Sequence, residues 1–167
     1  SRIALADEST LHVIDNNCAL HKIDLNQLRI TKSTTLSSTY VPPLFDYYQQ
    51  PFALGKTRSY ISFSKEGNEY IIDTRGKLSK ICSFNYNFGS TVTKARISEN
   101  DKLLMTGNDK GRTFIINTND GSLVAELPRS SDTITAVTIN DGFKLAARAS
   151  FSRKLIVYRY NTLSIVF

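Results

Sequence analysis

Three short apolar runs joined by two tight turns make up KLLMTGNDKGRTFIINTNDGSLVAEL, residues 102–127. The runs KLLMT, RTFIIN and SLVAEL are separated by GNDKG and TNDG. Gly, Asn and Asp tolerate the positive φ that tight hairpin turns require, so these segments predict hairpins between the runs. The stretch therefore predicts three consecutive β-strands.

Three other parts of the chain repeat this unit. Aligned without gaps, Leu11 falls on Leu104, whereas Tyr60 and Leu145 both fall on Leu103. The successive offsets are about 50, 43 and 42 residues, and a period of about 40–45 residues with four strands per unit is typical of propeller blades. The first offset is enlarged by an insertion that contains Pro42-Pro43, which cannot donate ladder hydrogen bonds.

We therefore predict an all-β fold, a β-propeller of four-stranded antiparallel blades with about four blades in this chain. Many predicted strands are apolar on successive residues, as expected for sheets that are covered on both faces. A two-sheet sandwich is the alternative, but a sandwich does not need internal copying. The predicted divisions are blade 1 at 1–34, an insertion at 35–48, blade 2 at 49–84, blade 3 at 91–127 and blade 4 at 133–167.

The repeats resemble those of the WD-repeat β-propeller family. Gly107-Asn108 stands where that family ends strand b with Gly-Ser, and residues 109–111 stand where its turn contains Asp-Gly. Ile116-Asn117 stands where strand c closes with Trp-Asp, as do Ile23-Asp24, Ile72-Asp73 and Tyr158-Arg159 in the other units. The chain has no Trp, so the family's buried Asp–His–Ser/Thr–Trp network is not expected. The resemblance implies a protein-interaction scaffold that binds partners on its rim.

The resemblance also implies a ring of roughly six to eight blades, more than the four found here. A chain that is a piece of a longer protein is the arrangement we favour. Two copies that pair as half-rings, giving a homodimer that completes a propeller, are the second, because bare end blades expose strand edges and apolar faces. Closure on four blades is the third.

Composition indicates a globular chain, with 41% hydrophobic and 10% aromatic residues. A net charge of +6 permits attraction to nucleic acid or acidic surfaces, but without a run of like charges we favour a solvated lysine-rich surface. No apolar run reaches the length of a membrane span. Cys18 and Cys82 lack metal-site spacing and are interpreted as free thiols, which favours a cytoplasmic location. Because the chain starts at Ser1, a removed signal peptide stays open.

The two histidines, His12 and His21, are the candidate metal ligands. A hairpin that turns at Asn16-Asn17 places them opposite each other on one face of blade 1, where two imidazoles begin a metal site. On that register Cys18 points to the other face and no third ligand is available. We therefore interpret the histidines as a packed pair between blades and predict no metal and no other cofactor.

No pattern in the chain carries catalysis. Paired carboxylates, a glycine-rich phosphate loop and a nucleophile elbow are all missing. Ser, His and Asp occur, but the sequence does not bring them together, so we predict that the protein is not an enzyme and rank an enzyme or cofactor-binding propeller last. The turn aspartates are expected to cap their own backbone: Asp7, Asp15, Asp109, Asp120, Asp132 and Asp141.

Blade 4 carries the first candidate partner-binding surface. Its cations are Arg148, Arg153, Lys154 and Arg159, set among Phe151, Tyr158 and Tyr160. Arg148 and Arg153 are close to the b–c turn, on the rim of the predicted ring. A basic, aromatic rim suits an acidic peptide or a single-stranded nucleic acid, so nucleic-acid or acidic-ligand binding is the alternative function. A plain solvated edge is the competing interpretation.

The insertion at 35–48 is the second candidate surface. It contains Tyr40, Phe45, Tyr47 and Tyr48 in the d–a connection on the same rim. Loops rich in aromatic residues are frequent contact surfaces. The competing interpretation is that these rings pack over the gap between blades 1 and 2. Together with the resemblance, both surfaces predict a non-catalytic protein–protein interaction scaffold.

Overall fold

The computed structural model describes residues 2–5, 8–15, 19–35, 52–63, 68–75 and 79–167. Within these residues every regular element is a β-strand, and no helix is present that is long and apolar enough to cross a membrane. The strands are β1 (Arg2–Leu5), β2 (Thr10–Ile14), β3 (Ala19–Asp24), β4 (Arg29–Thr35), β5 (Phe52–Leu54), β6 (Arg58–Phe63), β7 (Asn68–Asp73), β8 (Ser79–Phe84), β9 (Val92–Ile97), β10 (Leu103–Asn108), β11 (Thr113–Asn117), β12 (Leu123–Leu127), β13 (Ile134–Asn140), β14 (Leu145–Ser150), β15 (Leu155–Arg159) and β16 (Ser164–Ile165).

The strands form four separate sheets, each with four antiparallel strands in sequence order. These sheets are blades 1 to 4, made of β1–β4, β5–β8, β9–β12 and β13–β16, and the strands of each blade are called a to d. The predicted all-β architecture of antiparallel four-stranded blades is confirmed. Each connection between consecutive strands of a blade is short, as the turn residues of the sequence require.

The b–c hairpin of blade 3 illustrates how the turn chemistry fixes the register. The Asn108 Oδ1 atom accepts hydrogen bonds from the backbone N–H groups of Lys110 and Arg112, at 3.0 and 2.9 Å. Gly111 has a φ of 75°, and a Cβ at this position would lie 2.3 Å from the Ser130 carbonyl oxygen. Only glycine meets both conditions, so the hairpin closes with Gly107 opposite Thr113.

Neighbouring blades stack through their inner strands. Strand β9 packs against β5 and β6 of blade 2, and β13 packs against β9 and β10 of blade 3. We call the face that a blade turns toward the preceding blade its leading face, and the opposite one its trailing face. Between blades 2 and 3, Tyr60 and Ile71 meet Phe114 and Ile116. Between blades 3 and 4 the core contains Leu103, Met105, Ile115, Ile139 and Tyr158.

Blade 3 is covered on both faces, and its burial differs from that of blade 4. All six residues of β10 are buried, and so are the apolar residues of β11. This confirms the expectation that successive apolar residues mark strands with two covered faces. The run Leu155–Val157 of blade 4 has the same pattern, yet Leu155 is 56% exposed because no described residue covers that face.

The strand registers confirm most of the internal alignment. Leu11 pairs with Ile23 as Leu104 pairs with Ile116, which holds blade 1 at the expected offset. Tyr60 is the exception, because it pairs with Ile71 as Met105 pairs with Ile115. Tyr60 therefore occupies the place of Met105, two residues from the predicted place. A shift of two residues leaves a side chain on the same face of a strand, so Tyr60 still lies on the trailing face of blade 2.

Candidate interaction surface

The b–c turn of blade 3 is tied to the connections on both of its sides. The Asp109 N–H donates to the Thr91 carbonyl at 3.0 Å, and its Oδ1 atom accepts from the Thr91 N–H at 3.0 Å. On the other side, the Thr133 hydroxyl donates to the Asp109 carbonyl at 3.1 Å. A turn that is bonded on both sides cannot move independently of the blades.

The b–c turn of blade 4 joins the same framework. The Phe151 N–H donates to the Thr133 carbonyl at 3.0 Å, and the Ser130 N–H donates to the Gly111 carbonyl at 2.8 Å. Residues 108–112, 128–133 and 150–154 thus form one connected surface, which we call the b–c rim. The rim consists of backbone held by hydrogen bonds, so the side chains that it exposes have fixed points of attachment.

The b–c rim exposes four cations that form no ion pair with any carboxylate in the described part of the chain. Arg112 differs, because its Nε atom lies 2.8 Å from the Glu126 Oε1 atom. The acids within the rim segments, Asp109 and Asp132, accept backbone hydrogen bonds. Positive charge therefore dominates the exposed rim. The unpaired cations are Lys110, Arg129, Arg153 and Lys154.

Arg148 lies in the junction between blades 3 and 4, not on the exposed rim where the sequence predicts it. Its side chain is 4% exposed. The guanidinium donates to the Tyr158 hydroxyl at 3.0 Å and to the Thr113 Oγ1 atom at 3.4 Å. Alternation along β14 turns Arg148 to the leading face, together with the buried Ala146 and Ser150. The rim expectation for this residue is thus corrected.

The other predicted residues of blade 4 separate into two groups. Arg153 and Lys154 lie in the b–c turn beside Phe151, which is 50% exposed. Arg159 is exposed at the far end of β15, about 17 Å away at the usual rise of a strand. Tyr158 and Tyr160 are buried, so they are not available to a partner.

Two cations of the rim, Lys110 and Arg129, were missed by the sequence reasoning. The Arg129 Nε atom donates to the Lys110 carbonyl at 2.8 Å, which brings the blade 3 turn and the following connection together. The repeat itself contains the signal, because GNDKGR occupies the turn that is equivalent to the basic turn of blade 4. The predicted aromatic residues of the insertion, Tyr40, Phe45, Tyr47 and Tyr48, lie outside the described residues, and their role stays a prediction.

A buried polar network joins blades 2 and 3. The Glu69 carboxylate accepts from the Tyr60 hydroxyl at 2.6 Å and from the Asn87 side-chain amide at 2.7 Å. The same amide donates to the Thr106 hydroxyl at 3.2 Å, and the Asn87 Oδ1 atom accepts from Asn108 at 2.9 Å. Sequence reasoning missed this network, because Glu69, Asn87 and Thr106 are distant along the chain and lie outside the family signature.

Burial governs the ionisation of this network. Removal from water raises the pKa of Glu69 above its ordinary value, although the donated hydrogen bonds of Tyr60 and Asn87 oppose that shift. Burial also raises the pKa of Tyr60, and the adjacent Glu69 charge raises it further. Such a network holds two blades in one arrangement because every member depends on its neighbours.

The histidines do not face each other. His12 pairs with Lys22 and Val13 pairs with His21, so the two imidazoles lie on opposite faces of blade 1. The ladder closes at Asp15, which caps the Ala19 N–H at 2.9 Å, so three residues lie between Asp15 and Ala19, whereas the predicted turn had two. One extra loop residue reverses the face of every side chain on one strand. The predicted facing of His12 and His21 is therefore wrong.

His21 instead belongs to a hydrogen-bonded chain of three side chains. Its Nε2 atom lies 3.1 Å from Asp15 Oδ2, and its Nδ1 atom lies 2.8 Å from the Ser33 hydroxyl. The structure thus assembles a Ser, a His and an Asp that the sequence did not bring together. Acyl transfer also requires preorganised donors for an oxyanion beside the serine. Ser33 lies in the middle of exposed strand β4, and the chain ties strands b, c and d of blade 1 together.

No group of three His, Cys, Asp or Glu side chains suited to a metal ion occurs among the described residues. At the a–b end of the blades, acids bind backbone or neighbouring side chains instead. Asp101 accepts from the N–H groups of Lys56 and Thr57 in blade 2, at 2.8 and 2.5 Å. Asp141 accepts from Lys144, Tyr160 and Asn100, which lowers its pKa well below the usual range.

A cavity of about 760 Å³ opens at the same a–b end. It lies between the a–b turns of blades 2, 3 and 4, on the side where the inner strands meet. Lys56 and Arg96 line it together with Glu99 and Asp141, so its charge is mixed. The cavity is therefore less distinctive than the b–c rim, where exposed cations pair with no carboxylate in the part of the chain that the structure describes.

The comparisons with known proteins agree with this architecture. No protein-family model and no curated protein sequence matches the chain. The solved structure of U3-55K matches with a TM-score of 0.76 and 12% identity, over 98% of this chain and 50% of that one. A mitotic checkpoint complex structure gives 0.74 and 14%, over 96% and 48%. The RRP9 WD40 repeats give 0.76 and 11%, over 98% and 49%.

These matches confirm the predicted fold of WD-repeat-like propeller blades. A computationally designed protein, Ika8, matches equally well, with a TM-score of 0.77 over 46% of its chain. This chain therefore spans about half the length of these four matched chains. Sequence identity is too low for the matches to carry information beyond the fold.

Proposed function

We propose that the protein is a non-catalytic interaction scaffold that binds an acidic segment of a partner protein on its b–c rim. One observation carries the proposal, namely four exposed cations that pair with no carboxylate of the described residues, on a framework fixed by backbone hydrogen bonds. Preorganised attachment points lower the entropy lost on binding. Arginine and lysine side chains at such points attract carboxylates and steer their approach.

An acidic protein segment fits the rim better than a single-stranded nucleic acid does. Binding of single strands relies on several aromatic platforms on which successive bases stack. Among the described rim residues, Phe151 is the one exposed aromatic side chain, whereas the predicted companions Tyr158 and Tyr160 are buried. Nucleic-acid binding through the rim remains the second candidate, supported by the same positive charge.

The test is fluorescence anisotropy with a labelled ten-residue poly-glutamate peptide and, separately, a ten-nucleotide single-stranded RNA. Substitution of Arg153→Glu with Lys154→Glu is expected to weaken peptide binding at least about tenfold, because both cations then repel the peptide. The matched control, Lys102→Glu with Lys32→Glu, changes the net charge equally at two exposed positions outside the rim. Equal losses in both variants would contradict the proposal, and preferential RNA binding that depends on the rim would favour the second candidate.

The proposed compartment of the scaffold is the cytoplasm. Cys82 is a free thiol, half-buried beside Gly121, and burial raises its pKa. A thiol with a raised pKa reacts slowly, which suits a structural role in a reducing environment. Localisation of the tagged protein in its own cells tests this part independently of the rim.

A further inference from the structure

The trailing face of blade 4 is built like the covered trailing face of blade 3. Strand registers make the two faces equivalent residue by residue, because Leu103 pairs with Asn117 as Leu145 pairs with Arg159. Met105 and Ile115 of blade 3 are fully buried, and Ala147 and Val157 stand in their places. The equivalent positions in blade 4 carry the apolar residues Leu145, Ala147, Leu155, Val157 and Phe167, with Arg159 at the end of the face.

No described residue covers this face of blade 4. Leu155 is 56% exposed and Phe167 is 78% exposed, whereas their equivalents in blade 3 are Thr113, which is fully buried, and Ala125, which packs against the core. Contiguous exposed apolar faces of this kind mark interaction sites. The face follows directly on the junctions between blades 2, 3 and 4, so its natural occupant is another blade.

Blade 1 has a partly exposed apolar face on its opposite, leading side. Its leading face carries Leu11, Val13, His21 and Ile23 in the places of Leu104, Thr106, Phe114 and Ile116. The blade 3 residues are buried against blade 2, but the blade 1 residues are only half-buried. Among the described residues, blade 4 thus has an uncovered trailing face and blade 1 has a leading face that is only partly covered.

One position indicates that these two faces fit each other. At the start of strand c in blade 2, Glu69 accepts from the Asn87 amide, which also donates to Thr106 across the junction. Thr113 at the equivalent position of blade 3 accepts from Arg148 across the next junction. Blade 4 has Leu155 at this position. The matching position on the leading face of blade 1 is Val13, equivalent to Thr106 and Arg148. At this position of the proposed junction an apolar side chain, Leu155, therefore faces another apolar side chain, Val13. Their burial leaves no polar group without a hydrogen-bond partner.

We propose that the trailing face of blade 4 docks onto the leading face of blade 1 of a second copy, so that two chains close one propeller ring. The chain spans 46–50% of the length of the four matched chains, so two copies together approach the length of one of them. Head-to-tail contacts that close after two copies give a two-fold symmetric dimer with two identical junctions. The side-chain volumes at the proposed junction are complementary. Where the junction between blades 3 and 4 has the large Met105 and the small Ala146, the proposed junction has the small Ala147 and the larger Leu11. This assembly is independent of the proposed peptide binding on the b–c rim.

Light scattering of the purified protein tests the assembly first. The expected mass is about twice the 18.7 kDa of one chain. Leu155→Glu is expected to raise the dissociation constant of the dimer at least about 100-fold, because both junctions then bury an unpaired charge. The matched control is Phe88→Glu, which changes a 71% exposed side chain in the connection between blades 2 and 3. A protein that stays a monomer at high concentration overturns the proposal, and so does a dimer that is indifferent to Leu155→Glu.

Crosslinking then distinguishes the head-to-tail ring from a face-to-face dimer. A Leu155→Cys chain is mixed with a Val13→Cys chain, each with Cys18→Ser and Cys82→Ser, and oxidised. The ring predicts a disulfide between the two different chains, whereas a face-to-face dimer predicts one between two Leu155→Cys chains. Circular dichroism of each variant verifies that the blades are folded. A crosslink only between identical chains overturns the proposed docking.

Discussion

The two described junctions next to blade 3 have the same backbone arrangement but different polar contents. Between blades 2 and 3, a buried carboxylate is held by donors, with Glu69 accepting from Tyr60 and Asn87. Between blades 3 and 4, a buried cation occupies the equivalent region, with Arg148 donating to Thr113 and Tyr158. The repeat therefore specifies where a polar contact crosses the junction, and the local residues decide its charge.

The apolar parts of the two junctions are more alike than the polar parts. Phe114 fills the leading face of blade 3, next to the ring of Tyr86 at 5.8 Å between centroids. Tyr158 fills the leading face of blade 4 and is almost fully buried. A large buried ring thus lies in the apolar core of both junctions. Polar groups then need to be matched pair by pair, because each unpaired one is destabilising.

The largest effect is expected from removal of the ring at the first junction. Phe114→Ala leaves a cavity between blades 2 and 3 and lowers the free energy of unfolding by about 3–5 kcal/mol. Denaturant titration followed by circular dichroism measures the change. Phe143→Ala serves as its control, since Phe143 is 71% exposed and a loss below about 0.5 kcal/mol is expected. Similar losses for both variants would mean that Phe114 is not a junction residue.

A smaller loss is expected at the second junction. Arg148→Ala removes the donor to Thr113 and Tyr158 and leaves a void, so the free energy of unfolding falls by about 2–3 kcal/mol. Arg153→Ala is the matched variant on the rim, with an expected change within about 0.5 kcal/mol. Thermal unfolding of both proteins decides between the two roles of arginine in this blade. If Arg148→Ala were neutral while it abolished peptide binding, the residue would belong to the rim after all.

The smallest change is a pH dependence that distinguishes the buried acid of the first junction. The pKa of Glu69 is raised by burial, so its contribution to stability is complete below the ordinary glutamate pKa and is lost as the pH rises through the folded-state value. Glu69→Gln keeps the shape of the protonated form but cannot ionise. Relative to this variant, the wild type is expected to lose stability from pH 4 to pH 7. Parallel unfolding curves at both pH values would refute the assignment.

The repeat made the blades predictable from the sequence. The runs of blade 3 and their turns are local signals, and three further copies at similar spacing fixed strands b and c in every blade. The partners of Glu69 were not predictable in the same way. Asn87 lies 18 residues away and Thr106 lies in the next blade, so no spacing rule links them. The cations of the b–c rim were predictable in part. Arg153 and Lys154 were predicted from the sequence, whereas Lys110 and Arg129 were missed.

The sequence interpretation was least accurate about which face of a strand a given side chain occupies. A three-residue separation after Asp15 turned His12 and His21 to opposite faces, although a two-residue turn was predicted. Arg148 was expected among exposed cations because its neighbours Arg153 and Lys154 are basic. Alternation along β14 buries it instead. In both cases a single residue of register decides whether a side chain meets solvent or a blade.

The sequence by itself determined that the chain forms four-stranded blades, because strand and turn preferences act over a few residues and recur with the repeat. Only the tertiary structure decided which side of each blade is covered, which arginine crosses a junction and which cations remain unpaired on the rim. Those properties depend on residues from neighbouring blades that are about 40 positions apart. Strands β10 and β11, within residues 102–127, are buried on both faces because two blades flank them, whereas the same pattern in blade 4 exposes Leu155.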